Sequence, residues 1–121
     1  SILTWFIRYL TMPQTYKVLG QVAATATTTH NVYTVPAATQ AVVSSIIVTN
    51  RNSAANITYR LAVQPAGATL ANQHYIAYDS TVTALDTVAL SLGLSLGNTD
   101  VLSVYTANAN VSFSVFGVEI T

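Results

Sequence analysis

An all-β fold, an antiparallel sandwich of about eight strands and jelly-roll-like form, is what this sequence predicts, on three observations. Turn-forming residues recur roughly every eight to twelve positions. The segments between them alternate apolar and polar side chains with a period of two, the periodicity of a half-buried strand. The spacing leaves no room for the strand-helix-strand units that build parallel sheets.

Residues 1–14 stand apart as an N-terminal apolar arm, and residues 15–121 form the sandwich domain. The opening SILTWFIRYLT is apolar almost all round and is closed by Met12-Pro13. Wound as a helix it groups Ile2, Trp5, Phe6 and Tyr9 but leaves Leu3, Ile7 and Leu10 apolar on another side. No polar face survives, so the segment needs a cover. It is shorter than the ~20 apolar residues of a membrane span, and it lacks the basic start and small-residue cleavage site of a secretory signal. The expectation is an ordered arm that docks on its own domain or, preferably, on an adjacent subunit, with Ile2, Leu3, Trp5, Phe6, Ile7, Tyr9 and Leu10 as partner-binding anchors.

The first strand is expected over 14–22, followed by the low-complexity link AATATTT and a short strand over 32–35 that Pro36 stops. The organising stretch is AVVSSIIVTNRNSAANITYRLAV, 41–63. Its first arm, with Val42, Ser44, Ile46 and Val48 on one side and Val43, Ser45, Ile47 and Thr49 on the other, reads as a strand covered on both faces. Its second arm sets Ile57, Tyr59, Leu61 and Val63 against Thr58, Arg60, Ala62 and Gln64, so one side is wet. Asn50 to Asn56 supplies turn-formers and nothing for a core, and the whole reads as a β-hairpin. Pro65 and Gly67 break the pattern. Strands then follow over 73–79, with His74, Ile76 and Tyr78 opposite Tyr75 and Ala77, over 88–96, where Val88, Leu90, Leu92, Leu94 and Leu96 share one parity, over 101–105, and over 111–120.

The 121-residue chain is long enough to bury a core without covalent staples, and with no cysteine it can form neither a disulfide nor a thiolate metal site. Lys and Arg number four and Asp and Glu four, for a net charge of zero, so no basic cluster exists to bind nucleic acid by counterion release. Apolar residues make up 51% and charged ones only 7%, a balance that favours a surface partly covered by neighbours, hence a homo-oligomer or larger assembly.

No residue set carries chemistry. His30 and His74 lack the further converging ligands of a zinc site. A serine triad drawn from Ser44 or Ser45, His74 and Asp79 or Asp86 has no strained elbow for its nucleophile. Asp79 and Asp86 flank a loop and read as turn residues rather than a glycosidase pair, and Asn98 to Asp100 lacks the acidic density of a calcium loop. Asn56-Ile57-Thr58 and Asn110-Val111-Ser112 match a glycosylation sequon, a short pattern. Tyr33, Tyr59, Tyr75, Tyr78 and Tyr105 could stack on sugars or bases, or lie in the core or an interface. The expectation is a non-enzyme with no cofactor and no metal.

The segments TYKVLGQVAATATTT, VYTVPAATQAVVSSIIVTNRN, ITYRLAVQPAGA, NQHYIAYDSTVTALDTVALSLGLSL and VSFSVFGVEIT together resemble short virion structural proteins of tailed phages, including cyanophages. That resemblance covers 15–121 and leaves the arm outside. It implies a β-sandwich of the virion, assembled in the host cytoplasm, whose partners are the major capsid protein or other virion subunits, with no nucleic acid and no membrane. A capsid cement or decoration protein is the leading expectation. A tail or baseplate component, or a carbohydrate-binding host-attachment module, are the alternatives.

Overall fold

A computed structural model describes residues 13–121; the anchors Ile2, Leu3, Trp5, Phe6, Ile7, Tyr9 and Leu10 lie outside the described residues. Eight strands follow in chain order: β1 (Gln14–Ala24), β2 (Thr28–Thr34), β3 (Gln40–Asn50), β4 (Ile57–Gln64), β5 (Tyr75–Val82), β6 (Thr87–Leu96), β7 (Val101–Thr106) and β8 (Val111–Ile120). They form two four-stranded sheets, one ordered β1-β8-β3-β6 (sheet A) and one ordered β2-β7-β4-β5 (sheet B). Every strand pair is antiparallel.

The order has a simple origin. Strand β4 pairs with β5, β3 with β6, β2 with β7 and β1 with β8, which is one long antiparallel ribbon folded at the β4–β5 connection. Rolling that ribbon on itself brings β8 beside β3 and β7 beside β4. Two stacked sheets with an apolar interior result, the eight-stranded jelly roll. Strands β3 and β4 therefore are not a hairpin: they lie in different sheets, and the 50–56 loop crosses between them. The alternation of each arm is local, whereas the choice of sheet is made by pairing with β6, β8, β5 and β7 far along the chain.

The inward residues close a single core, with Val43, Ile46, Val48, Phe113 and Val115 of sheet A facing Ile57, Leu61, Leu102 and Val104 of sheet B. Sheet A is irregular at one level in three of its strands, β1, β3 and β6, around a regular β8. The register shifts between Val18 and Gly20, between Val43 and Ser45, and in β6 where Val43 faces Leu94 but Ser45 faces Ser91. In β3 the extra residue changes the inward parity from Ala41 and Val43 to Ile46, Val48 and Asn50, which makes it a one-sided strand rather than one buried on both faces. The bulge is pinned by Ser44 Oγ donating to the Phe116 carbonyl at 3.1 Å. At the same level Gly117 has no room for a side chain: a Cβ there would strike the Val42 carbonyl and come within 2.9 Å of Leu19 Cδ1.

The 50–56 loop is more than a wet turn. Asn50 is 1% exposed. Its Nδ2 donates to the carbonyls of Ala55, Val82 and Thr83 at 2.9, 3.1 and 3.1 Å, while its Oδ1 accepts from the Asn52 backbone and side chain. Asn52 in turn reaches Ala109 and Asn110. One buried amide thus ties three loops at one end of the sandwich, since each buried carbonyl must find a donor.

Candidate interaction surfaces

The groups that could serve catalysis are dispersed and engaged. Ser44 lies in sheet A, whereas Asp79 is in sheet B and His74 just precedes β5, so the serine triad does not assemble. His74 Nδ1 accepts the Ala71 N–H at 3.0 Å and His30 Nε2 accepts the Thr25 N–H at 3.0 Å, each stapling its own turn. Asp86 accepts from Thr87 N–H and Thr83 Oγ1, and Asp100 accepts from Gly97 and Ala66 N–H groups at 2.8 Å each, which makes both acids turn staples. Among the described residues, no three His, Cys, Asp or Glu side chains gather closely enough to hold a metal ion. Asn56 and Asn110 are both exposed in loops, with Asn56 Oδ1 accepting from Ala84 N–H.

The five tyrosines divide. Tyr33 and Tyr59 are core residues, and Tyr59 packs edge-on to Phe113 at 6.4 Å between ring centres. The Tyr33 hydroxyl donates to Glu119 at 2.6 Å, and Lys17 pairs with the same carboxylate at 2.8 Å. Burial first, then that hydrogen bond and charge, hold the Tyr33 phenol well above its ordinary range. Hydrogen bonds from Lys17 and then Tyr33 hold Glu119 below the ordinary carboxylate value.

Tyr75, Tyr78 and Tyr105 meet on the outer face of sheet B around Arg60. In β5 the pairing runs Tyr59 to Ser80 and Leu61 to Ala77, so Tyr78 and Asp79 together oppose the single residue Arg60. Asp79 takes the left-handed backbone conformation, φ 52°, that this bulge needs. Its carboxylate receives Arg60 Nε at 2.7 Å and Nη2 at 3.2 Å, a two-pronged pair. The guanidinium lies 4.1 Å from the Tyr78 ring centre and 4.9 Å from that of Tyr105, and Tyr75 stands edge-on to Tyr78 at 5.0 Å. The hydrogen bond from Arg60 lowers the Asp79 pKa and raises that of Arg60. Beside them Ser103 Oγ lies within hydrogen-bond reach of the side-chain amides of Asn31 and Gln64, and Leu70 and Ala62 line a small dimple. Sequence reading picked out these tyrosines, but it missed Arg60 as their hub, because only the bulge brings Tyr78 and Asp79 to it.

The outer face of sheet A differs from end to end. Toward Ala24, its outward positions are Gln21, Ala23, Ser112, Ser114 and Thr49, with Gln21 Nε2 bonded to Ser114 Oγ and Arg51 Nε to Ser112 Oγ. Toward Gln14 the outward positions are apolar: Tyr16 pairs with Val118, Val18 with Phe116, and Val42 with Val118 on the other side, with Ile120 at the rim. Tyr16 is 80% and Val18 46% exposed, while Val42, Phe116, Val118 and Ile120 are half-buried. An open groove of about 310 Å³ continues from Ile120 past Gln40, Ala38, Thr39 and Asn98.

No family model and no curated protein matches the chain. Solved structures do. A chain of the acidic stable capsid structure of Helicobacter pylori bacteriophage KHP30 is 13% identical with a TM-score of 0.49, over 90% of this chain and 92% of that one. A chain of infectious bursal disease virus, Gx strain, is 12% identical with a TM-score of 0.48, over 89% of this chain. A pentameric capsid protein isolated from metagenomic phage sequences is 21% identical with a TM-score of 0.39, over 88% of this chain. This chain spans 32% of the bursal disease virus chain and 64% of the pentameric capsid protein.

Proposed function

We propose that the chain is a virion structural protein, a capsid cement or decoration protein that stabilises the head by burying its exterior against neighbouring capsid subunits. The observation that carries this reading is an exterior poor in charge that keeps large apolar side chains in the open. Charged residues are 7% of the chain, yet Tyr16, Val18, Ile76, Tyr78 and Leu85 are all exposed. Burial of apolar surface is worth about 25 cal/mol per Å², and repetition at many equivalent sites of a shell adds avidity to each contact. The jelly roll is in keeping with this role, being used by capsid domains, although it also serves lectins and cupins. The arm anchors Trp5, Phe6 and Ile7 fit the same role, since large apolar residues dominate interface energies.

Replacing Trp5 and Phe6 together by Ser tests it. The expected result is a folded domain with reduced occupancy on purified particles; unchanged occupancy refutes the role. A second reading, carbohydrate binding in host attachment, draws on Tyr75, Tyr78 and Tyr105 around Arg60, since sugars stack on aromatic faces. A glycan array on the isolated protein separates the two: binding abolished by Tyr78→Ala supports attachment.

A further inference from the structure

From the apolar end of sheet A we infer that the outer face formed by Tyr16, Val18, Val42, Phe116, Val118 and Ile120 is the receptor for residues 1–12 of a second copy of this chain. The inference deepens the assembly reading above and rests on it. It assigns to the arm a specific seat.

Four features converge on this occupant. The first is position. Pro13, the residue on which the segment is hung, accepts the Thr121 N–H at 3.1 Å beside the Gln14–Ile120 pair, so residues 1–12 issue at the rim of this patch. The second is chemistry. The segment offers Ile2, Leu3, Trp5, Phe6, Ile7, Tyr9 and Leu10, and no outward position of the patch carries a charge; Lys17 and Glu119 alternate to the other face, where they meet Tyr33.

The third is charge. Arg8 is the segment's one ionised side chain; at the opposite end of sheet A it would face the like charge of Arg51, and on sheet B the one acidic partner, Asp79, is already taken by Arg60, whereas the apolar end of sheet A sets no charge against it. The fourth concerns which copy supplies the segment. Met12 precedes Pro13, a position biased toward extended backbone, which suits a segment that continues past the rim of its own sheet toward a neighbour. Twelve residues reach at most about 40 Å, ample for a neighbouring copy.

The chain has no cysteine, which makes disulfide trapping clean. Full-length protein bearing only Thr4→Cys is mixed under mild oxidation with mass-tagged protein bearing only Gln40→Cys, an exposed position that pairs with Ile120 at the patch rim. A parallel mixture uses Thr29→Cys, exposed on β2 of sheet B. The expected result is a mixed disulfide at least about ten-fold more abundant at position 40 than at 29, and suppressed when Val18 and Val118 are changed together to Asp. Equal yields at the two positions overturn the assignment. So does a link formed within single chains carrying both Thr4→Cys and Gln40→Cys at high dilution, which would return the segment to its own sheet. Since trapping is read in free protein, its failure leaves particle occupancy unaffected, and unchanged occupancy of the Trp5 and Phe6 variant would refute the virion role without touching the trap.

Discussion

The outer face of sheet B around Arg60 and the apolar end of the outer face of sheet A both expose aromatic or aliphatic side chains, but only one is complete in itself. On sheet B the charge of Arg60 is met by Asp79 and covered by the rings of Tyr78 and Tyr105. The ion pair and its covering rings all come from within the domain, so the cluster is preorganised without a neighbour. On sheet A, Tyr16 stands 80% exposed beside Val18, Phe116 and Val118 with no polar group to organise them. The difference separates a surface that is finished by its own bulge from one that stays unfinished until something apolar covers it.

The largest effect should come from breaking the frame that shapes sheet A. Gly117→Ala puts a Cβ against the Val42 carbonyl at the bulge, and a loss of about 2–3 kcal/mol is expected in urea unfolding. Asn50→Ala, which strands the carbonyls of Ala55, Val82 and Thr83, should cost a similar amount, about 2–3 kcal/mol, while leaving both patches chemically intact. If either variant unfolds like the wild type, the bulge or the buried amide is not holding the sheets as described.

A pH titration probes the ion pairs beside each face. The folded-state pKa values of Asp79 and Glu119 are lowered, so their contributions are present above the ordinary carboxylate value of about 4 and fade as pH falls through the depressed values. Tyr33 has the opposite sign: its raised pKa gives a contribution that is whole below about pH 10 and is lost as pH rises beyond it. Thermal unfolding of Asp79→Asn should show a smaller loss between pH 4 and pH 2 than the wild type; an identical acid limb would contradict the Arg60–Asp79 pairing. Milder still, Val18→Thr with Val118→Thr should keep stability within about 0.5 kcal/mol and weaken self-association by sedimentation. The smallest effect is expected at Leu85, exposed in the β5–β6 turn with φ 56° and belonging to neither face. Leu85→Gly relieves a left-handed conformation and should gain about 0.5 kcal/mol with no change in association.

Much of this fold can be read from local pattern. The alternation of 88–96 and 111–120, and the turn residues at Gly97 to Asp100, place β6, β7 and β8 within a residue or so of where they lie. The 41–63 stretch misleads because alternation identifies strands and not their partners, which here are set by the ribbon folding at β4–β5. Bulges are the second blind spot. One extra residue near Ser44 reverses the parity of β3, and another at Tyr78–Asp79 builds the Arg60 cluster; neither leaves a mark in a two-residue period. The apolar end of sheet A was hidden for a related reason, since Tyr16, Val42 and Val118 become neighbours only through pairing across β1, β8 and β3.

The decisive measurement is an image, at side-chain resolution, of a particle that carries this subunit. This subunit is expected in many symmetry-related copies, with Tyr16, Val18 and Phe116 covered by a companion chain. The same three side chains facing solvent in every copy would contradict that expectation.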